Sequence, residues 1–89
     1  MGIDVRKVNE ITFQVSVGGR TPTEHTVSAP RDYCEKLTGG RASPELLVER
    51  SFEFLLEREP NSSILRRFEL PVIQTYFPEY ETAMKTLFA

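Results

Sequence analysis

The stretch from Ser43-Pro44-Glu45 to Arg58 constrains the architecture of this chain more than any other segment. Ser43 has a hydroxyl suited to accept a hydrogen bond from a backbone N–H at a helix start. Pro44 follows at the first helical position, where a missing N–H is no loss. Glu45 places a carboxylate in the first turn, against the positive end of the helix dipole. Stepping about 100° per residue, Leu47, Val48, Ser51, Phe52, Phe54, Leu55 and Leu56 sweep an arc of about 200°. Glu49, Arg50, Glu53 and Glu57 occupy most of the remainder. A helix lying on a surface needs an apolar stripe only about half as wide. The segment 43–58 is therefore expected to be touched on two sides, as the central helix of the fold.

The rest of the chain arranges itself around that helix. Ile11, Phe13, Val15 and Val17 alternate with Thr12, Gln14 and Ser16, the period of two of a half-buried strand. The turn residues Gly18-Gly19-Arg20-Thr21-Pro22 follow, and then His25, Val27 and Ala29 alternate with Thr26 and Ser28. Together they predict an antiparallel hairpin over about 10–29, with residues 3–8 either extending its first strand or fraying. Pro30 opens a helix over about 30–38 with Tyr33 and Leu37 on its inner face, closed by Gly39 or Gly40 in the left-handed conformation. After Pro60, Asn61 or Ser62 caps a short helix over 61–68, with Ile64, Leu65 and Phe68 turned inward. Pro71 begins a further helical stretch over 71–88, broken at Pro78, whose last part carries the stripe Tyr80, Ala83, Met84, Leu87 and Phe88. The expected fold class is α+β: one domain over residues 1–89, with an N-terminal antiparallel β-hairpin packed on a bundle of about four short helices.

Composition restricts the function classes. With 89 residues there is room for one domain, and 39% hydrophobic with 27% charged residues is the balance of a globular chain. A net charge of −2 and a pI near 5.4 supply no overall attraction to nucleic acid or to an anionic membrane. Cys34 is the single cysteine, so no intrachain disulfide is possible and a reducing compartment is implied. The N-terminal residues form no apolar run, and Arg6 stands where a myristoylation signal needs Ser or Thr. These features predict a cytoplasmic protein without a membrane segment.

The residues that ordinarily carry chemistry read as structural. His25 is the only histidine and falls in register with the inward Val27 and Ala29, as a partly buried strand histidine. Cys34, beside Tyr33 on the first helix, reads as a small buried hydrophobe. Neither Gly-Gly-Arg sequence, at 18–20 or 39–41, matches a phosphate-binding loop. Glu45, Glu49, Glu53 and Glu57 recur every four residues as a solvated helix face. No catalytic, cofactor-binding or metal-binding residue is therefore assigned, and no cofactor is expected. The candidate interaction residues are Arg66, Arg67, Tyr76 and Tyr80, because exposed Arg and Tyr are the side chains that most often anchor interfaces.

Two resemblances bear on function. The run Ser51-Phe52-Glu53-Phe54-Leu55-Leu56-Glu57-Arg58-Glu59-Pro60, with Ser63-Ile64-Leu65 and Tyr76-Phe77-Pro78-Glu79-Tyr80, resembles small bacterial proteins of uncharacterised function. It implies a bacterial source and a domain that stands alone. Residues 24–58, with Thr26-Val27-Ser28-Ala29-Pro30, a helix, Gly-Gly and a second helix, are similar to a ribbon-helix-helix DNA-binding domain. That resemblance implies a strand pairing with its twin in a dimer to read the major groove. The leading expectation is a non-enzymatic protein-interaction or accessory module, whose partner is another protein or a second copy joined through the open edge of the hairpin. A dimeric regulatory nucleic-acid-binding protein is the alternative, though the acidic balance weakens attraction to phosphate.

Overall fold

The computed structural model describes residues 2–89. In chain order they form β1 (Ile3–Lys7), β2 (Thr12–Val17), β3 (Thr23–Ser28), α1 (Arg31–Thr38), α2 (Pro44–Leu56), a 3₁₀ turn (Asn61–Ser63), β4 (Arg67–Glu69), α3 (Pro71–Tyr76) and α4 (Tyr80–Leu87). The fold is α+β, as expected, with helices packed on a four-stranded sheet in the order β1-β2-β3-β4. The pairs β1·β2 and β2·β3 are antiparallel, and β3·β4 is parallel.

The predicted hairpin is present as β2 and β3, with Phe13 opposite Val27 and Val15 opposite His25. Two corrections surround it. Residues 3–7 do not extend the first strand; they form a strand of their own, with Val5 opposite Val15. The chain reverses at Asn9, whose side-chain oxygen accepts from the backbone N–H groups of Ile11 and Thr12 at 3.1 and 3.0 Å, a turn that Asn makes readily. Ile11 thereby falls in the turn rather than in the buried row, and it stays exposed.

The second correction lies at 61–68, where a helix was expected. A single 3₁₀ turn forms at Asn61–Ser63, Ile64 is extended, and Arg67–Glu69 becomes β4. The helix-start chemistry at Asn61 loses here to a strand edge that needs partners. The outer edge of β3 offers unpaired backbone groups instead. Thr26 N–H donates to the Arg66 carbonyl at 2.7 Å, and Leu70 N–H donates to the Ser28 carbonyl at 2.9 Å.

The sheet divides its two faces by the strand alternation. Phe13, Val15, Val17, His25, Val27 and Phe68 are buried beneath the helices, while the residues between them form an open polar face. Helix α2 lies at the centre, as its wide apolar arc predicts, with Leu47, Val48, Ser51, Phe52, Phe54 and Leu55 all buried. The Ser43 side chain accepts from Leu46 N–H at its start, and Gly39 closes α1 at φ 64°. The ring of Phe52 lies 5.3 Å from that of His25 and 6.0 Å from that of Phe68, so it joins α2 to both β3 and β4.

Phe52 is fully buried at that junction. Phe52→Ala is expected to destabilise the fold by about 3–5 kcal/mol, since truncating a core aromatic removes its burial and leaves a cavity. Urea unfolding followed by circular dichroism will read this as a lowered midpoint with little change in slope.

Candidate functional site

An apolar cleft of about 300 Å³ lies between the C-terminal half of α2, the 59–65 segment, β4 and α3. Its floor is made by Leu55, Ile64, Phe68 and Ile73, all buried. Its rim carries Leu65 and Tyr76, which are 46% and 65% exposed and rank among the few large hydrophobic side chains left in solvent. Glu59 contributes the only carboxylate of the lining, and partial burial pushes its carboxyl above the ordinary range.

The wall formed by residues 61–65 is held by polar contacts to β3 and the turn before it. His25 donates from Nδ1 to the Leu65 carbonyl at 2.8 Å, since a carbonyl only accepts. The other ring nitrogen lies 2.8 Å from Thr23 Oγ1, and Thr23 Oγ1 accepts from Asn61 Nδ2 at 3.1 Å. Asn61 Nδ2 also donates to the Thr21 carbonyl at 2.8 Å. The single histidine thus ties the strand to the cleft wall across forty positions of sequence. Both its ring nitrogens are engaged within the fold.

The four sequence-predicted interaction residues separate. Tyr76 stands exposed on the cleft rim at the end of α3. Arg66 and Arg67 are exposed but lie on the approach to β4 and on β4 itself, not on a helix. Arg66 directly follows the rim residue Leu65, whereas Arg67 belongs to the open face of the sheet, opposite Thr26. Neither arginine forms an ion pair among the described residues; Glu79 is taken instead by Arg58 at 3.0 Å. Tyr80 is a correction: it is fully buried. Its hydroxyl lies 2.6 Å from Ser51 Oγ, which itself donates to the Leu47 carbonyl at 2.7 Å. The apolar stripe of α4 carries Tyr80 inward, and the small Ser51 on α2 leaves room for its hydroxyl. Burial pushes the Tyr80 hydroxyl well above its usual range.

Sequence reasoning missed Leu65 as a rim residue, because a helix over 61–68 would have turned it inward. A readable signal existed in Arg67-Phe68-Glu69, a polar–apolar–polar alternation that fits a strand with one buried face. Val72 and Phe77 complete the lining.

The expected hairpin edge is also corrected. Strand β3 is bonded on both sides, to β2 and to β4, so the free edges of the sheet belong to β1 and β4. The twin-strand pairing implied by the ribbon-helix-helix resemblance would need an edge of β3 that is already occupied. Among the described residues no group of three His, Cys, Asp or Glu is placed to hold a metal ion, and no helix is long and apolar enough to cross a membrane. Compared with family models, with curated proteins and with solved structures, the chain matches none of them.

Cys34 is buried, and the burial raises its thiol to about 11, with Glu35 adding to the shift. The folded protein is expected to react with a disulfide reagent at pH 8 far more slowly than the urea-unfolded chain, because the thiolate is the nucleophile. Since the folded state favours the neutral thiol, this group leaves stability untouched below pH 9 and lowers it as pH rises from there toward about 11. A faster reaction at pH 8 in the native protein than in the unfolded one would contradict the burial.

Proposed function

We propose that this protein is a non-enzymatic interaction module that holds an apolar segment of a partner protein in the cleft between α2, the 59–65 segment and α3. The observation that carries the reading is the exposure of Leu65 and Tyr76 at the mouth of a cleft with a buried apolar floor. Large hydrophobic groups left in solvent at the edge of a concavity mark a place where a partner completes the burial. Tyrosine suits such a rim because it supplies contact area with few rotatable bonds and a polar tip for the water-facing side.

Charge narrows the ligand. Arg66, beside the rim at Leu65, has no ion-pair partner among the described residues. A segment with two or three apolar side chains followed by a carboxylate would fill the floor and meet that guanidinium. The dispersal of chemistry-bearing residues agrees with a binding role. His25 and Cys34 are both buried and engaged in contacts within the fold.

The test is selection from a displayed library of random peptides. Wild-type protein is expected to enrich apolar sequences with a flanking Asp or Glu, and Leu65→Asp or Tyr76→Asp to lose them by about tenfold or more while keeping the wild-type melting temperature, since both sites are solvent-exposed. Arg66→Glu should weaken only the acidic-flanked members. No enrichment, or enrichment indifferent to the rim variants, means the cleft is not a binding site.

A further inference from the structure

The outer edge of β1 carries a pattern that is complementary to itself. Two backbone bonds bracket the strand: Gly18 N–H donates to the Gly2 carbonyl at 2.8 Å, and Val8 N–H donates to the Thr12 carbonyl at 2.9 Å. Backbone polar groups alternate in direction along a strand, so Gly2, Asp4, Arg6 and Val8 face β2. Ile3, Val5 and Lys7 therefore direct their N–H and carbonyl groups away from the sheet, where no strand pairs with them. Asp4 and Arg6 project onto the open polar face and are exposed, while Ile3, Val5 and Lys7 share the helical side of the sheet.

We propose that β1 pairs antiparallel with β1 of a second copy about a two-fold axis at Val5, joining the two sheets into one. In that register Val5 exchanges both backbone bonds with the partner's Val5, and Ile3 and Lys7 do so with the partner's Lys7 and Ile3. These are the residues whose backbone groups are free. The neighbouring positions then fall opposite one another as Asp4 with the partner's Arg6 and Arg6 with the partner's Asp4. They are non-hydrogen-bonded pairs, in which side chains approach most closely. Each sits on the exposed polar face, and neither Asp4 nor Arg6 has an ion pair within its own chain among the described residues. Glu24, the carboxylate that Arg6 influences, already accepts from Gln14 and Ser16 at 2.9 and 2.6 Å.

The helical side offers a second match. Ile3 borders a shallow cleft with Glu49 and Glu53 of α2 and Glu57 just past its end, three carboxylates that among the described residues share only two cations of their own chain, Arg50 and Arg58. In the proposed register the partner's Lys7 stands opposite Ile3 and so brings its ammonium next to that cleft. Lys7 is exposed and likewise has no ion pair among the described residues. The opposite edge offers no such match, since β4 is three residues long and runs at once into α3.

Sedimentation equilibrium of the wild-type protein from micromolar to millimolar concentration is expected to show a species of twice the 10.2 kDa chain mass. Asp4→Arg sets like charges opposite one another and is expected to raise the dissociation constant by about tenfold or more, and Asp4→Arg with Arg6→Asp to restore it. Lys7→Glu, on the other face, provides an independent variant expected to weaken the dimer in the same sense. All three positions are exposed, so unchanged circular dichroism accompanies the loss. A wild-type protein that stays at the monomer mass throughout overturns the proposal, as does a dimer that neither Asp4→Arg nor Lys7→Glu weakens.

Discussion

The pairing of residues 66–70 with the outer edge of β3 is the interaction on which the remaining architecture rests. A strand buried on one face and open along one side leaves backbone donors and acceptors that must find partners. Thr26 and Ser28 find them in Arg66 and Leu70. The His25 imidazole reinforces the join from within the core by donating to the Leu65 carbonyl. Extended in this way, the chain turns Phe68 inward and leaves Leu65 outside, so the same hydrogen bonds that complete the sheet also raise one wall of the cleft. Proline at 71 then restarts the helix, and α3 supplies the facing wall.

The core joins these elements through aromatic rings and a few satisfied polar groups. Phe54 packs its ring edge-on against Phe77 and Tyr80, and Arg58 lies over the same ring, 3.5 Å from its centroid. Arg58 also pairs with Glu79 and donates to the Phe54 carbonyl at 3.0 Å, which anchors the turn before α4 to the end of α2. The Ser51–Tyr80 contact does the same one turn earlier. No buried side-chain polar atom among the described residues lacks a partner, so the buried hydroxyls and imidazole cost little and fix which faces meet. On the far side of α4, Glu81 accepts from Tyr33 at 2.8 Å and pairs with Lys36, and those two contacts hold its carboxyl below the usual range.

Much of this was legible in the residues because local chemistry and tertiary context agreed. The cap and arc of α2, the alternation of β2 and β3 and the glycine after α1 each pointed to one local structure, and the fold uses that structure. Residues 61–66 misled for the opposite reason. Asn61-Ser62 after Pro60 is sound helix-start chemistry, yet the segment's conformation is decided by a strand some forty positions away. Residues 3–7 were ambiguous because only Ile3 and Val5 mark their inner face. Of the residues at or beside the cleft mouth, Tyr76 and Arg66 were singled out by residue type alone. Tyr80 was misplaced because residue type does not distinguish a tyrosine at a surface from one whose hydroxyl is received by a serine inside.

The parallel pairing of β3 with β4 has a consequence for how the chain comes to be folded. Thr26 and Arg67 are partners in the sheet, but α1 and α2 lie between them in sequence. A sheet of β1, β2 and β3 formed before residues 66–70 are in place would hold the outer edge of β3 with its amides unmatched. Such an edge would be a template for any extended chain nearby. The pairing of β4 closes that edge, so a segment late in the chain decides which borders the finished sheet presents, β1 on one side and β4 itself on the other.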